Sequence, residues 1–113
     1  MRWPIASSGC DKYMSKVWVV QSTDKSIENA RRFGELEVLV LQKGHAPEEE
    51  SEAADFIYTT LLKKARKGDY LLPVGHPGYV GIATHAMLTT LHEARVLIWD
   101  RKTADYRVME VKL

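Results

Sequence analysis

Short apolar runs alternate with amphipathic stretches along most of this chain, and that alternation narrows the folds open to it more than any other feature. Lys16-Val17-Trp18-Val19-Val20-Gln21 is apolar and largely β-branched between polar ends, the pattern of a strand covered on both faces. Residues 35–42 form a second such run, in which Glu35 and Glu37 alternate with Leu36 and Val38 before the run turns apolar. Residues 69–74 (Asp-Tyr-Leu-Leu-Pro-Val) form a third, whose Pro73 cannot donate a ladder hydrogen bond and marks either a bulge or an edge. Residues 95–101 and 106–113 read as two further strands, joined by a polar connector short enough for a hairpin, Lys102-Thr103-Ala104-Asp105.

The stretches between have helical spacing. In residues 22–34, Ile27, Ala30, Arg31 and Phe33 recur near one face, with Ser22, Thr23 or Ser26 as N-cap and Gly34 at the end. Residues 47–67 open on Pro47 and Glu48, Glu49 and Glu50, which complement the positive end of a helix dipole. Ala54, Ile57, Tyr58, Leu61 and Ala65 then form one stripe, and Lys63, Lys64, Arg66 and Lys67 crowd the negative end before Gly68. Residues 77–93 follow the turn Gly75-His76-Pro77-Gly78; apolar side chains cover most of this third helix, and Gly81, Ala83 and Ala86 permit close approach to a sheet.

The order β, α, β, α, β, α, β, β requires a largely parallel sheet with right-handed crossovers, and the final hairpin adds one antiparallel edge strand. The expectation is an α/β fold, a small Rossmann-like or flavodoxin-like three-layer sandwich on a mostly parallel five-stranded sheet. With strand order 2-1-3-4-5 the winding reverses between the first and third strands, and ligands of such sheets lie at the strand carboxyl ends there.

A length of 113 residues is enough for one domain. We assign it to residues 14–113, after an irregular extension over residues 1–13, with Met14 as an alternative translation start. Trp3 and Ile5 packing on a neighbouring surface is the rival reading of the extension. A formal charge of +1 gives the whole chain no bias toward phosphate polymers or anionic lipid. Cys10 is the only cysteine, which excludes an intramolecular disulfide and any multi-cysteine metal site and fits a reducing cytosol. No apolar run approaches the roughly 20 residues of a spanning helix, and the first residues lack a secretory pattern.

The assumed strand order brings Gln21, Ser22 and Thr23 close to Gly75, His76, Pro77 and Gly78. Unpaired N–H groups of the third helix would then face a crevice and favour a small anion. Asp100, at the end of the fourth strand, would join His76 as an acid and a base. The ligand-binding candidates are therefore Gln21, Ser22, Gly75, His76, Gly78 and Asp100. The competing reading of the glycines is a tight strand-to-helix turn, since they do not match the dinucleotide fingerprint and no Walker lysine follows. His76 reads more readily as an exposed turn histidine, and Asp100 as a solvated hairpin entry. His85 and His92 lie seven residues apart on one helix, too far to share an ion without outside ligands, so no metal is expected. Cys10 has no evident base partner. No catalytic set and no cofactor motif is present, which points away from an enzyme.

Four stretches carry a resemblance: Val17-Trp18-Val19-Val20-Gln21, Phe33-Gly34-Glu35-Leu36-Glu37-Val38-Leu39, Asp69-Tyr70-Leu71-Leu72-Pro73-Val74-Gly75-His76-Pro77, and Ala94-Arg95-Val96-Leu97-Ile98-Trp99-Asp100-Arg101. Through them the chain resembles a family of small α/β proteins encoded by tailed bacteriophages. The resemblance implies a shared fold and supplies no catalytic residues; relatives often carry an acidic residue where this chain has His76 and an aliphatic one where it has Pro73. It implies a phage accessory protein of an infected bacterial cytoplasm that acts by binding a host protein or by assembling as a homo-oligomer. The edge strand at residues 106–113, with Val108, Met109, Val111 and Leu113, is a natural surface for either. Two rival readings stand beside it. One is a nucleotide or phosphate binder that sequesters or cleaves a signalling nucleotide. The other is a nucleic-acid-associated protein using Lys63, Lys64, Arg66 and Lys67 with Arg95, although the basic and aromatic interleaving of RNA binders is missing.

Overall fold

The apolar runs pair into one sheet. In the computed structural model, which describes residues 14–42 and 44–113, its strands are β1 (Lys16–Gln21), β2 (Glu35–Val40), β3 (Tyr70–Leu72), β4 (Glu93–Asp100) and β5 (Asp105–Lys112). The helices are α1 (Pro47–Lys64), α2 (Pro77–Leu91) and a 3-10 helix at Glu28–Phe33. The strand order is β2-β1-β3-β4-β5. β1 runs parallel to both β2 and β3, β3 runs parallel to β4, and β4 and β5 form an antiparallel hairpin. Over the described residues this is an α/β fold with a five-stranded mixed sheet and three helices. The extension expected over residues 1–13, and Cys10 with it, lies outside the described residues.

Strand alternation divides the core in two. Trp18, Val20, Leu71 and Val96 face α1 and α2, where they meet Ile57, Leu61, Ala83 and Met87. Val17, Val19, Leu72 and Leu97 face the other way and meet Ala30, Ile27, Phe33 and Tyr106. Each such side chain, fully buried, contributes about 1.5–3 kcal/mol, so β1, buried on both faces, anchors the sheet.

The two covering layers are unequal. α1 and α2, of 18 and 15 residues, lie on one face, whereas the other carries, among the described residues, the six-residue 3-10 helix. Residues 22–34 do not form the expected α-helix because their apolar positions, Ile27, Ala30 and Phe33, recur every three residues, the period at which 3-10 side chains eclipse. The polar stretch before them turns instead, with the Lys25 N–H donating to Thr23 Oγ1.

Other boundaries shift for local reasons. α1 ends at Lys64 rather than Lys67, because Ala65 is already extended and the Arg66 N–H donates to Asp69 Oδ2 at 2.9 Å. α2 stops at Leu91, two residues short of Glu93, with His92 in the left-handed region as its cap. β3 is an interior strand of three residues. Pro73 lies just beyond it, where the Val74 N–H donates to the Leu72 carbonyl, so the proline is neither an edge nor a ladder bulge.

Candidate functional site

Because β1 has β2 on one side and β3 on the other, the winding reverses at β1 and leaves a crevice above the carboxyl ends of β1 and β3. Gln21, the last residue of β1, is buried and sets the floor. Its Oε1 accepts the His76 N–H at 2.8 Å, and its Nε2 donates to the Gln42 carbonyl at 2.9 Å. One amide thus ties β1 to the segment after β2 and to the turn before α2. Gly75 lies directly against it at φ +111°, where a Cβ would overlap the Gln21 side chain, so both the conformation and the contact call for glycine.

His76 is the N-cap of α2. Its Nδ1 accepts the Gly78 N–H at 2.9 Å, and its carbonyl accepts the Val80 N–H at 3.1 Å. Because Nδ1 accepts, the proton of the neutral ring sits on Nε2, which donates to Glu50 Oε2 at 2.9 Å. The Val80 bond is the first of the helix ladder; of the donors ahead of it, the His76 N–H goes to Gln21, Pro77 has none, and the Gly78 N–H goes to the His76 ring. The expectation of free N–H groups aimed into the crevice is therefore not met at His76 and Gly78, and Gly78 packs against the His76 ring and is not among the residues lining the crevice.

Tyr79, one turn into α2, is buried beside this pair. Its ring stacks on His76 at 4.5 Å, and its hydroxyl lies 2.9 Å from His45 Nδ1. Burial pushes the phenol pKa up, and the carboxylates of Glu50 and Glu49 push it further, so the hydroxyl stays protonated while it shares a hydrogen bond with the His45 ring. The crevice encloses about 460 Å³ and is also lined by Ser22, Thr23 and Asp24.

Of the predicted residues, Gln21, Ser22, Gly75 and His76 line one crevice. Asp100 does not join them. It sits at the hairpin, where its Oδ1 accepts the Lys102 N–H at 2.9 Å and its Oδ2 lies 4.0 Å from Arg107 Nε. The acid that meets His76 is Glu50. Read from sequence, Glu50 was one of three acidic residues complementing the α1 dipole, and no local pattern links it to a histidine 26 positions on. His45 and Tyr79 were missed for the same reason.

His85 stacks on Tyr58 with ring centroids 5.7 Å apart, and the His92 carbonyl accepts the Leu113 N–H. Among the described residues no group of three or more His, Cys, Asp or Glu is placed to hold a metal ion. The basic residues proposed for nucleic acid also separate. Arg95 lies over the Tyr70 ring on the 3-10 face, within 3.4 Å of Glu110, while Lys63 and Lys64 end α1 on the opposite face.

The fold and crevice define a small α/β protein with a histidine-capped, hydrogen-bonded corner at the switch point of a mixed sheet. Residues 15–113 match the family model of the Phage Pam3 gp32-like protein, and the chain belongs to that family. The phage resemblance read from the four sequence stretches is thereby established. No curated protein and no solved structure matches the chain. Among the described residues no helix is long and apolar enough to cross a membrane.

Proposed function

We propose that this phage-family protein acts by binding rather than catalysis, in the cytoplasm of an infected bacterium, and that β5 pairs edge to edge with a second copy of the chain. The C-terminal hairpin carries the reading. β5 is an eight-residue strand at the end of the sheet, and Val108, Met109 and Leu113 are exposed there. A strand at a sheet edge presents a row of unpaired backbone N–H and C=O groups, a template for another strand.

Side-chain order supports self-pairing. When two identical strands pair antiparallel, the two-fold axis stands perpendicular to the sheet and passes midway between one residue and its own copy. Centring on Arg107 or Glu110 sets like charges opposite each other, which is destabilising. Centring on Val108 or Met109, at the middle of the strand, sets an apolar side chain against itself. Sedimentation across the micromolar range tests this: the expected result is a dimer for the unaltered chain and a monomer with unchanged circular dichroism for Val108→Lys/Met109→Lys. An unaltered chain that stays monomeric overturns self-association; if that monomer captures a host protein through β5, binding stands with a different partner.

The switch-point position of the crevice favours a second reading, a small anionic ligand held there. Glu50 and Asp24 in the lining and the histidine cap weigh against it. A thermal-shift panel of phosphates and nucleotides decides, since a ligand at 100 times its Kd adds about 2.7 kcal/mol.

A further inference from the structure

The thin face of the sheet leaves a second concavity that neither the His76 corner nor the β5 edge uses. The 3-10 helix covers β1 and is tied to the start of the hairpin by Arg32, whose guanidinium meets Asp105 at 3.0 Å and the Tyr106 carbonyl at 3.0 Å. Past that contact, among the described residues, no helix packs over the carboxyl ends of β3 and β4 on this face. The result is a groove of about 500 Å³ with Leu72, Val74 and Leu97 on its floor. Trp99 forms one wall, 46% exposed although its ring packs edge-on against Tyr106 at 5.0 Å.

The rim is cationic. Lys25 and Arg101 line the groove, and neither side chain forms an ion pair among the described residues. The acid next to Arg101, Asp100, is turned toward the Lys102 N–H and Arg107, and the acid next to Lys25, Asp24, lines the His76 crevice instead of this groove. An apolar floor, a half-exposed indole and two cations without an ion-pair partner among the described residues, all within one concavity, specify a ligand with both an apolar plane and a negative charge. The volume falls within the roughly 300–1,000 Å³ typical of small-molecule sites. We infer that this groove binds a small aromatic anion, its ring against Trp99 and the Leu72 and Leu97 floor, and its anionic group between Lys25 and Arg101. The inference is independent of self-association, because the edge pairing rests on Val108 and Met109, which do not line the groove.

Naphthoate and its uncharged amide, naphthamide, are the probes, titrated into the full chain by calorimetry with amide chemical shifts recorded alongside. Naphthoate should bind saturably, shift residues around Leu97, Trp99 and Val74, and bind about tenfold more tightly than the amide, the scale of a charge-assisted contact. Lys25→Gln/Arg101→Gln should erase that preference while leaving naphthamide binding unchanged, and Trp99→Ala should weaken both probes. Equal affinity for acid and amide, shifts confined to the His76 crevice, or no saturable binding overturns the proposal. The Val108→Lys/Met109→Lys chain should bind naphthoate as the unaltered chain does, which separates a failure here from a failure of dimer formation.

Discussion

Three donors converge on the carboxylate of Asp69. The Lys16 N–H lies 3.0 Å from Oδ1, and the Trp18 Nε1–H and the Arg66 N–H each lie 2.9 Å from Oδ2. Asp69 is almost fully buried, so one side chain joins the start of β1, the indole beneath α1 and the chain leaving α1. Asp69→Ala would strand these donors away from water at about 1–3 kcal/mol each where burial is complete. We expect a loss of about 3–5 kcal/mol in urea unfolding, at the upper end for a single substitution, with Trp18 fluorescence reporting the same transition. Tyr79 makes a pH-dependent prediction. Burial first, then Glu50 and Glu49, raise its pKa above the ordinary 10.0, and burial raises that of Tyr106. Above the ordinary tyrosine value the unfolded chain has released these protons while the folded chain still holds them. The stabilisation is therefore complete below about pH 10 and is lost as pH rises through the raised folded values. Tyr79→Phe should flatten the alkaline fall in unfolding free energy and leave a smaller slope from Tyr106.

The 3-10 crossover shows what an element owes to close backbone contact. The Gly34 N–H closes the helix on the Arg31 carbonyl, and Glu35 starts β2 by donating to the Ser15 carbonyl at 3.0 Å. A Cβ at Gly34 would overlap that same Ser15 carbonyl, and a main-chain atom paired in a sheet cannot swing aside. Gly34→Ala should cost about 1–3 kcal/mol through forced displacement, read as a lower midpoint in thermal unfolding. The period-three spacing of Ile27, Ala30 and Phe33 was already visible in the sequence, but Arg31 beside them mimics an α-helical face. Only the shallow space over β1 decides for the tighter helix. The strands were legible because β-branched runs such as 17–20 bury on both faces whatever packs against them. α1 was legible from its stripe and charged ends, although its last turn was not, because Asp69 draws the Arg66 N–H out of the helix. The crevice was half legible. Gln21, Ser22, Gly75 and His76 belong to strand tips whose meeting follows from topology, whereas Glu50, His45 and Tyr79 reach it through helix rotation and loop path, which no local spacing encodes.

At the scale of the whole molecule the sheet has two edges with different chemistry. β2 carries Glu35 and Glu37 within six residues. Self-paired antiparallel registers centred on residues 35 or 37 set a glutamate against its own copy, and one centred on residue 36 sets Glu35 against Glu37 of the other copy, so charge disfavours every register centred on the first half of that strand. β5 has the apolar pair Val108 and Met109 at its centre and flanking charges of opposite sign, Arg107 and Glu110, which leaves two apolar registers open. The asymmetry predicts which backbone becomes protected on association. Hydrogen exchange on the dimer should show the outward-facing amides of β5 slowed relative to the Val108→Lys/Met109→Lys monomer, because exchange there requires opening of an intermolecular ladder. The outward-facing amides of β2 should exchange at the same rate in both. Slowing at β2 instead would move the interface to the glutamate edge, and no slowing at either would place the contact on a helix face, where α1 exposes Phe56.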